Sequence, residues 1–239
     1  MKQILCLITA RSGSKGIKDK NIKNFNGHPL MAWSIMQAQK SRYFSQMRII
    51  VSTDSQQYAD IARSYGAETP FIRPHAISLD LSSDYECIHH SLLWLKENES
   101  YNPEIVIHLR PTQPCRTVEH IDTCLDLFIN SNYDSLRSVI PFEKSPYKMY
   151  TINDTGETKE LIPLFNKVNN INEPYNQCRQ LLPQTYLHNG YIDIFKTYVV
   201  KDGSISGNKI YPFIMDVNET IDIDTISDWY KAEEAANKI

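Results

Sequence analysis

Near its amino terminus the chain reads Ile4-Leu5-Cys6-Leu7-Ile8, a continuous apolar run, and then, after Thr9, Ala10-Arg11-Ser12-Gly13-Ser14-Lys15-Gly16. A short apolar run bounded by a loop of glycine, serine and lysine is typical of a strand buried on both faces of a sheet. Such strands belong to parallel sheets that are covered by helices. The pattern predicts an α/β fold in which the polar loop follows the carboxyl end of the first strand.

Strands and helices alternate through the first half of the chain. The runs Arg48-Ile49-Ile50-Val51 and Ile105-Val106-Ile107 repeat the buried-strand pattern. Helical spacing of apolar residues marks four segments, which carry Leu30, Met31, Trp33 and Ile35; Tyr58, Ile61, Ala62 and Tyr65; Tyr85, Ile88, Leu92 and Leu95; and Val118, Ile121, Leu125 and Phe128. This alternation predicts a mostly parallel sheet, with ligands at the carboxyl ends of its strands.

The pattern changes after Val139. Residues 141–184 are rich in Asn, Pro, Lys and Tyr and have little periodicity, which indicates an insert of irregular structure and short strands. Regular patterns return at residues 190–194, at residues 209–215 and in a last helix that carries Trp229. We expect one domain over residues 1–239, with 141–184 as an insert that serves an interface.

Composition and charge exclude several classes of protein. The 25 basic and 28 acidic residues give a formal net charge of −3, and the basic residues form no run, so we expect no nucleic-acid partner. The five cysteines are scattered and include no C-x-x-C pair, which fits reduced thiols in a cytoplasmic protein better than disulfides or a zinc cluster. The first apolar run is too short for a signal peptide or a membrane span, so we expect no membrane association.

The loop after the first strand has the composition of a phosphate-binding site. Gly13 and Gly16 allow tight turns that expose backbone N–H donors, and the basic side chains could balance a triphosphate. Those side chains are Arg11, Lys15, Lys18 and Lys20. The spacing fits neither a P-loop nor a dinucleotide-binding fingerprint. On its own, the loop is explained equally well as a solvated, lysine-rich turn.

A second polar motif, Ile221-Asp222-Ile223-Asp224-Thr225, lies near the other end of the chain. In an extended segment the two aspartates point to the same side. Two such carboxylates could share Mg²⁺, which would bridge triphosphate oxygens and take up charge as pyrophosphate leaves. The alternative is that Asp224 or Thr225 caps the helix that follows. Capping accounts for one of these residues but not for both aspartates.

Together the motifs resemble those of the CMP-sialic acid synthetases, a family of cytidylyltransferases. The matching motifs run in order over nearly the whole chain: residues 10–16 with Lys20-Asn21, Ser52-Thr53-Asp54, Arg73-Pro74, residues 109–116, residues 179–184, Asn189-Gly190 and residues 221–225. The resemblance implies a three-layer, Rossmann-like nucleotidyltransferase fold. It also implies a homodimer, in which residues 141–184 form a dimerisation arm that reaches toward the partner's active site.

The resemblance further implies a reaction and a set of site residues. The anomeric hydroxyl of a nine-carbon 2-keto sugar acid would attack the α-phosphorus of CTP, giving a CMP-sugar and pyrophosphate. The residues that the resemblance implies for nucleotide binding are Ala10, Arg11, Ser14, Lys15, Lys20, Asn21, Arg73, Ser82 and Ser83. The residues that it implies for catalysis are Arg11, Lys15, Asp222 and Asp224, with the two aspartates as Mg²⁺ ligands. The residues that it implies for sugar-acid binding are Arg110, Lys148, Arg179 and Asp193; for Lys148 and Arg179 the alternative is a surface salt bridge.

Three departures from the family pattern fall on the sugar side. Arg110 stands where sialic acid enzymes usually carry glutamine, Asp193 stands where they often carry tyrosine, and residues 204–207 lack their paired phenylalanines. The nucleotide side is intact. We expect that CTP is retained and that the sugar acid differs, with legionaminate or a related diamino nonulosonic acid as the substrate.

Two other functions remain open at this point. One is a CMP-Kdo synthetase, which activates the eight-carbon acid of lipopolysaccharide, although Ser14-Lys15-Gly16 with Lys20-Asn21 does not fit the usual loop of that family. The other is a sugar-nucleotide-binding protein without catalytic activity. The presence of Lys15, Asp222 and Asp224 argues against this second alternative.

Overall fold

The computed structural model describes residues 3–200 and 203–236. Its α-helices are α1 (Leu30–Lys40), α2 (Gln56–Ser64), α3 (Asp84–Glu99), α4 (Val118–Ile129) and α5 (Ile226–Ala236). The side chains of Ser55, Ser83 and Thr117 accept a backbone N–H at the first turns of α2, α3 and α4, which explains where these helices begin. Within the described residues, we find no helix whose length and apolarity would let it cross a membrane.

The strands of the described chain are β1 (Ile4–Thr9), β2 (Asn24–Phe25), β3 (His28–Pro29), β4 (Met47–Ser52), β5 (Ile105–His108), β6 (Ser135–Phe142), β7 (Tyr150–Asp154), β8 (Lys159–Pro163), β9 (Lys167–Val168), β10 (Ile171–Asn172), β11 (Thr185–Lys196) and β12 (Ile210–Ile214). Six of them form the central sheet, in the order β12-β6-β11-β5-β1-β4. β1 pairs in parallel with β4 and β5, and β12 pairs in parallel with β6. β11 is antiparallel to both of its neighbours. The predicted α/β fold with a mostly parallel sheet is confirmed.

Side chains of β1 point alternately into two layers of helices. Ile4, Cys6 and Ile8 pack in the core that contains residues of α1, α2 and α4, whereas Leu5 and Leu7 pack in the core that contains residues of α3. All five side chains are fully buried. Because burial of a Leu or Ile side chain contributes about 1.5–3 kcal/mol, this strand holds the start of the following loop firmly.

The carboxyl ends of three parallel strands lie side by side. The backbone N–H of Ala10, just after β1, donates to the carbonyl of Ser52 at the end of β4 (3.0 Å). The N–H of Leu109, just after β5, donates to the carbonyl of Leu7 in β1 (3.1 Å). The loop that begins at Ala10 and the motif that begins at Leu109 therefore leave the same edge of the sheet.

Residues 143–184 leave the sheet between β6 and β11. They include the antiparallel hairpin β7–β8 and the short ladder β9–β10. The hairpin exposes apolar side chains, among them Ile152 (67% exposed) and Leu161 (62%). The predicted start of the insert at residue 141 falls inside β6, because pairing with Thr185 and Tyr186 of β11 extends that strand to Phe142.

Candidate active site

A cavity of about 330 Å³ opens where the loops after β1 and β5 meet. Ligands of open α/β sheets bind at this edge, beyond the carboxyl ends of the strands. Nine of the predicted site residues line the cavity: Arg11, Ser14, Lys15, Lys20, Asn21, Arg73, Ser82, Arg110 and Asp224. Segments that lie far apart in the sequence are thus brought to one site.

The loop of residues 10–16 is held by polar side chains from two neighbouring segments. Asp54, just after β4, accepts hydrogen bonds from the backbone N–H and the hydroxyl of Ser12, both at 2.9 Å. Asn21 donates from Nδ2 to the carbonyl of Arg11 at 2.9 Å. Sequence reasoning gave Asp54 no role, although its position directly after a buried strand was a signal for one. Ala10 is fully buried and lies outside the cavity lining.

Gly16 brings this loop against the acidic segment near the other end of the chain. A Cβ atom at Gly16 would lie 2.5 Å from the carbonyl oxygen of Asp224, a distance that side-chain carbons do not adopt. Lys20 strengthens the contact, since its Nζ donates to the carbonyl of Ile223 (2.6 Å) and to Oδ1 of Asp224 (3.2 Å). The predicted phosphate loop therefore meets the acidic segment at the cavity, which Asp224 lines and Asp222 does not.

Asp222 and Asp224 lie on either side of Ile223, a residue that fixes this segment to the core. Ile223 is fully buried in a core with Trp229, and its N–H donates to the carbonyl of Thr112 (2.9 Å). Partial burial raises the pKa of Asp222, and the charge of Asp224 raises it further, while a hydrogen bond from Thr112 opposes both effects. Because the charge of Asp224 acts on Asp222, the two carboxylates lie close together and form an anionic, oxygen-rich site.

The alternative role of this segment, as a helix cap, belongs to Thr225 alone. The hydroxyl of Thr225 accepts the N–H of Asp228 (3.3 Å), and the Asp228 carboxylate accepts the N–H of Thr225 (2.9 Å). These two reciprocal hydrogen bonds cap the first turn of α5. Both Asp222 and Asp224 are therefore left without a capping role.

Arg11 and Lys15 share a carboxylate that the sequence did not single out. Arg11 donates from Nη1 to Oδ1 of Asp80 (2.7 Å), and Lys15 forms an ion pair with Oδ2 of the same residue. Hydrogen bonds from Lys15 and then from Arg11 lower the pKa of Asp80. An anion of the protein therefore lies at the two cations that were predicted to bind phosphate.

Only some of the residues predicted to lie near the cytidine line the cavity. Arg73 is 3% exposed and donates to the Ser78 hydroxyl (2.9 Å), with its guanidinium in the cavity wall. Ser82 also lines the cavity. The hydroxyl of Ser83 instead forms a capping box with Glu86 at the start of α3, and Ser83 lies outside the lining. The structure thus gives Ser83 a capping role.

Arg110 enters the cavity between two carboxylates. It donates from Nη2 to Asp84 (2.6 Å) and from Nη1 to Asp193 (2.5 Å). Asp193 has no exposed surface, so it reaches the cavity only through Arg110, and the structure does not offer the direct sugar contact that we predicted for it. Although burial raises the pKa of Asp193, the hydrogen bond from His188 and the charges of Arg110 and Arg137 hold it far below its usual range.

Lys148 and Arg179 lie on the insert and do not line the cavity of their own chain. Both side chains are exposed, and Lys148 donates to the carbonyl of Tyr175 (3.3 Å). Within residues 3–200 and 203–236, the guanidinium of Arg179 has no hydrogen bond or ion pair. The four predicted sugar-side residues therefore divide into a connected pair at the cavity wall, Arg110 and the buried Asp193, and an exposed pair on the insert.

Comparison with known proteins identifies the family. The family model described as Cytidylyltransferase matches residues 5–189, from the first strand to the Asn189-Gly190 motif. The chain belongs to the cytidylyltransferase family. It is therefore a nucleotidyltransferase, and the family predicted from the motifs is confirmed.

Two relatives and one solved structure show which cytidylyltransferases this chain is similar to. It is 33% identical over 231 residues to the CMP-N,N'-diacetyllegionaminic acid synthase of Campylobacter jejuni, with 96% of this chain and 93% of the relative covered. It is 32% identical, over the same shares, to the post-translational flagellin modification protein B of Campylobacter coli. A CMP:2-keto-3-deoxy-manno-octonic acid synthetase solved with CTP aligns over 99% of both chains with a TM-score of 0.69 and 14% identity, which shows a shared fold.

Proposed function

We propose that this cytidylyltransferase transfers CMP from CTP to a nonulosonic acid, with legionaminate or a close diamino relative as the sugar. The sugar's anomeric oxygen forms a bond to the α-phosphorus of CTP, the bond from that phosphorus to the β-phosphate bridge breaks, and pyrophosphate and a proton are released. The observation that carries the proposal is that Arg11, Lys15, Lys20 and Asp224 line the same cavity. The legionaminate synthase among the relatives supports the choice of sugar.

The basic residues of the cavity have the charge and position to hold a triphosphate. Arg11 and Lys15 project from a loop that Asp54 fixes, so their positions are set before the nucleotide arrives. Lys20 lies between this loop and Asp224. Fixed donors and cations around a reacting phosphate lower the barrier by positioning and by stabilising charge, without a covalent intermediate.

Asp222 and Asp224 fit a divalent cation such as Mg²⁺. Their carboxylates offer hard oxygen ligands, and Lys20 already lies against Asp224 as a cationic partner. A bound Mg²⁺ would neutralise triphosphate charge and polarise its oxygens. Within the chain, Thr112 donates a hydrogen bond to Asp222 and would help to hold that carboxylate in place for a cation.

We also propose a cytoplasmic homodimer in which the insert supplies Lys148 and Arg179 to the partner's cavity. The exposed apolar side chains of the hairpin, Ile152 and Leu161, support a protein interface there. The exposed guanidinium of Arg179 supports a role for it outside its own chain. A sugar carboxylate requires such a cationic partner.

The proposed function is tested by pyrophosphate release from CTP and Mg²⁺ with a panel of sialic, legionaminic, pseudaminic and Kdo acids. We expect the highest kcat/KM with legionaminic acid, since this ratio measures discrimination. Asp224→Asn should lower kcat/KM by about 100-fold or more and raise the Mg²⁺ concentration needed for half-maximal rate. Lack of turnover with every acid would refute catalysis, and a preference for Kdo would favour the alternative family.

A further inference from the structure

A network of charged and polar side chains surrounds the buried carboxylate of Asp193 behind Arg110. Asp193, which is fully buried, accepts hydrogen bonds from Arg110 Nη1 (2.5 Å) and from His188 Nε2 (2.7 Å), and it pairs with Arg137 Nη1 (2.8 Å). Arg110 also donates to Asp84 (2.6 Å). Arg110 is predicted to bind the sugar acid, and the proposed function gives no task to the other members of the network.

The segment of residues 204–207 accepts hydrogen bonds from Arg137, at the end of this network that lies away from Arg110. Arg137 donates from Nη2 to the carbonyl of Ile205 (2.8 Å) and to the hydroxyl of Ser206 (3.1 Å). All three departures on the sugar side, Arg110, Asp193 and this segment, thus belong to one connected structure. They are explained together and not as separate changes.

The charges of the network balance. The two guanidinium groups of Arg110 and Arg137 face the two carboxylates of Asp84 and Asp193. His188 needs no charge to take part, because a neutral imidazole that carries its proton on Nε2 can donate to the carboxylate. Arg110 therefore brings no uncompensated charge to the cavity wall.

Arg110 is fixed in place but keeps donors for a ligand. A guanidinium has five N–H donors, and Arg110 uses two at Nη1, toward Asp193 and the carbonyl of Gly190 (3.4 Å), and one at Nη2, toward Asp84. The Nε–H and the second Nη2–H have no partner within the described residues. Gly190 leaves room for this arrangement, since a Cβ there would lie 3.2 Å from Nη1.

We propose that Asp193 is a positioning residue that fixes Arg110, and that Arg110 binds a neutral oxygen of the sugar acid, an amide carbonyl or a hydroxyl. This inference rests on the proposed function, which makes the sugar acid the substrate. A guanidinium whose charge is already balanced has little net attraction for the sugar carboxylate. Its fixed N–H donors still reject an analogue that lacks the acceptor, because they would be left unpaired.

A double-mutant cycle tests the positioning role. We expect Arg110→Gln and Asp193→Asn each to raise the KM for the sugar acid by about tenfold while the KM for CTP changes less than about twofold. The double variant should be no worse than Arg110→Gln alone. Additive losses, or a change confined to the KM for CTP, would overturn the proposal.

Stability must be separated from positioning, since Asp193→Asn leaves the guanidinium groups of Arg110 and Arg137 short of a counter-charge. Thermal melting of each variant is measured first. If Asp193→Asn does not fold, Asp193→Glu keeps the charge and shifts the carboxylate by one methylene. A folded Asp193→Glu protein should still show the raised KM for the sugar acid, and a wild-type KM would overturn the role of Asp193.

Matched sugar acids test what Arg110 binds. One pair differs only in an N-acetyl group against a free amine, and a second pair only in the carboxylate against its carboxamide. Arg110→Gln should lose the preference for the N-acetyl compound and keep the preference for the carboxylate. The reverse result would show that Arg110 binds the carboxylate and would overturn the proposal. Absence of wild-type turnover would overturn the proposed function as well, whereas altered selectivity with intact turnover bears on this inference alone.

Discussion

Asp80 pairs with Arg11 and Lys15, the two cations that were predicted to bind the triphosphate, so a nucleotide that binds there would have to displace it. Replacing it with asparagine removes the competing charge. We expect Asp80→Asn to lower the KM for CTP by roughly two- to fivefold, the range typical of a lost exposed ion pair. The effect should shrink as salt is added, because exposed charges are screened.

The matched control for this variant is Asp60→Asn. Asp60 forms an exposed ion pair with Arg63 on α2, outside the cavity lining. Its loss should leave the KM for CTP unchanged. A KM for CTP that rises in Asp80→Asn would show that Asp80 organises the cations for the nucleotide and does not compete with it.

Gly16 sets how closely the phosphate loop approaches Asp224. An alanine methyl at this position would lie 2.5 Å from the Asp224 carbonyl oxygen, so the loop would have to move away. Displacement of a catalytic group by about 1 Å can lower the rate by about 100-fold, and we expect a loss of kcat/KM on this order for Gly16→Ala. The melting temperature should change little because Gly16 is exposed. Full activity in this variant would show that the loop and the acidic segment act independently.

Ser83, at the start of helix α3, was predicted to bind the nucleotide but caps the helix in the structure. Its capping box with Glu86 predicts that Ser83→Ala lowers the free energy of unfolding by about 1 kcal/mol. The KM for CTP should stay at the wild-type value. Thr117→Ala, which removes the cap of α4 away from the cavity, is the matched control and should lose a similar amount in urea denaturation. A raised KM for CTP in Ser83→Ala alone would restore the predicted nucleotide contact.

The elements themselves could be predicted well where the signal is local. Periodicity located α4, and the apolar run located β1, because burial leaves a regular pattern on neighbouring residues. The loop of residues 10–16 and the acidic segment were found in the same way. Their meeting at one cavity agrees with the rule that ligands bind beyond the carboxyl ends of parallel strands.

The network behind Arg110 could not be predicted, because strand pairing creates it. β11 runs antiparallel between β5 and β6, and this register sets Asp193 opposite His108 on one side and opposite Arg137 on the other. No local pattern encodes which residues of distant strands face each other. Sequence reasoning therefore found Asp193 but missed Arg137, and it assigned Asp193 a direct contact that burial prevents.

For the whole molecule, the proposed dimer predicts complementation between inactive subunits. Lys15→Ala and Arg179→Ala proteins should each be nearly inactive, and mixing them under conditions of subunit exchange should restore about a quarter of wild-type activity, since half of the dimers then hold one intact site. The measurement is pyrophosphate release before and after exchange. No recovery would mean that Arg179 serves its own chain or does not serve the site.

The control mixture combines Lys15→Ala with Arg110→Gln. Both residues line the cavity of their own chain, so every mixed dimer would hold two defective sites. Exchange should therefore restore nothing beyond the activity of the separate proteins. Recovery in this mixture would indicate that the exchange assay itself is misleading.

The stability of the whole fold should depend on pH through His108. Burial lowers the pKa of this histidine to about 4 from an ordinary value of 6.5. Between these values the unfolded chain binds a proton that the folded chain does not, so stability falls as the pH falls through this window. From pH 7 to pH 5 the loss should be roughly 2 kcal/mol.

Urea unfolding of wild type and His108→Gln at pH 7 and pH 5 measures this contribution. The variant should show a smaller difference between the two pH values, whatever its absolute stability. The carboxylates of Asp84 and Asp193, whose pKa values are lowered, lose their stabilising effect only below about pH 4 and so do not interfere. Equal pH dependence in the two proteins would contradict the neutral state of His108.

The contact between Gly16 and Asp224 also makes the site depend on two distant parts of the chain. All six strands of the central sheet lie before Asp224, so the sheet and the loop of residues 10–16 contain no residue of the acidic segment. The cations for a nucleotide and the carboxylates proposed to hold its metal therefore come from separate pieces of the polypeptide. They share one cavity only because the acidic segment packs against a loop that lies about 200 residues earlier, as the hydrogen bond from Lys20 to Ile223 shows.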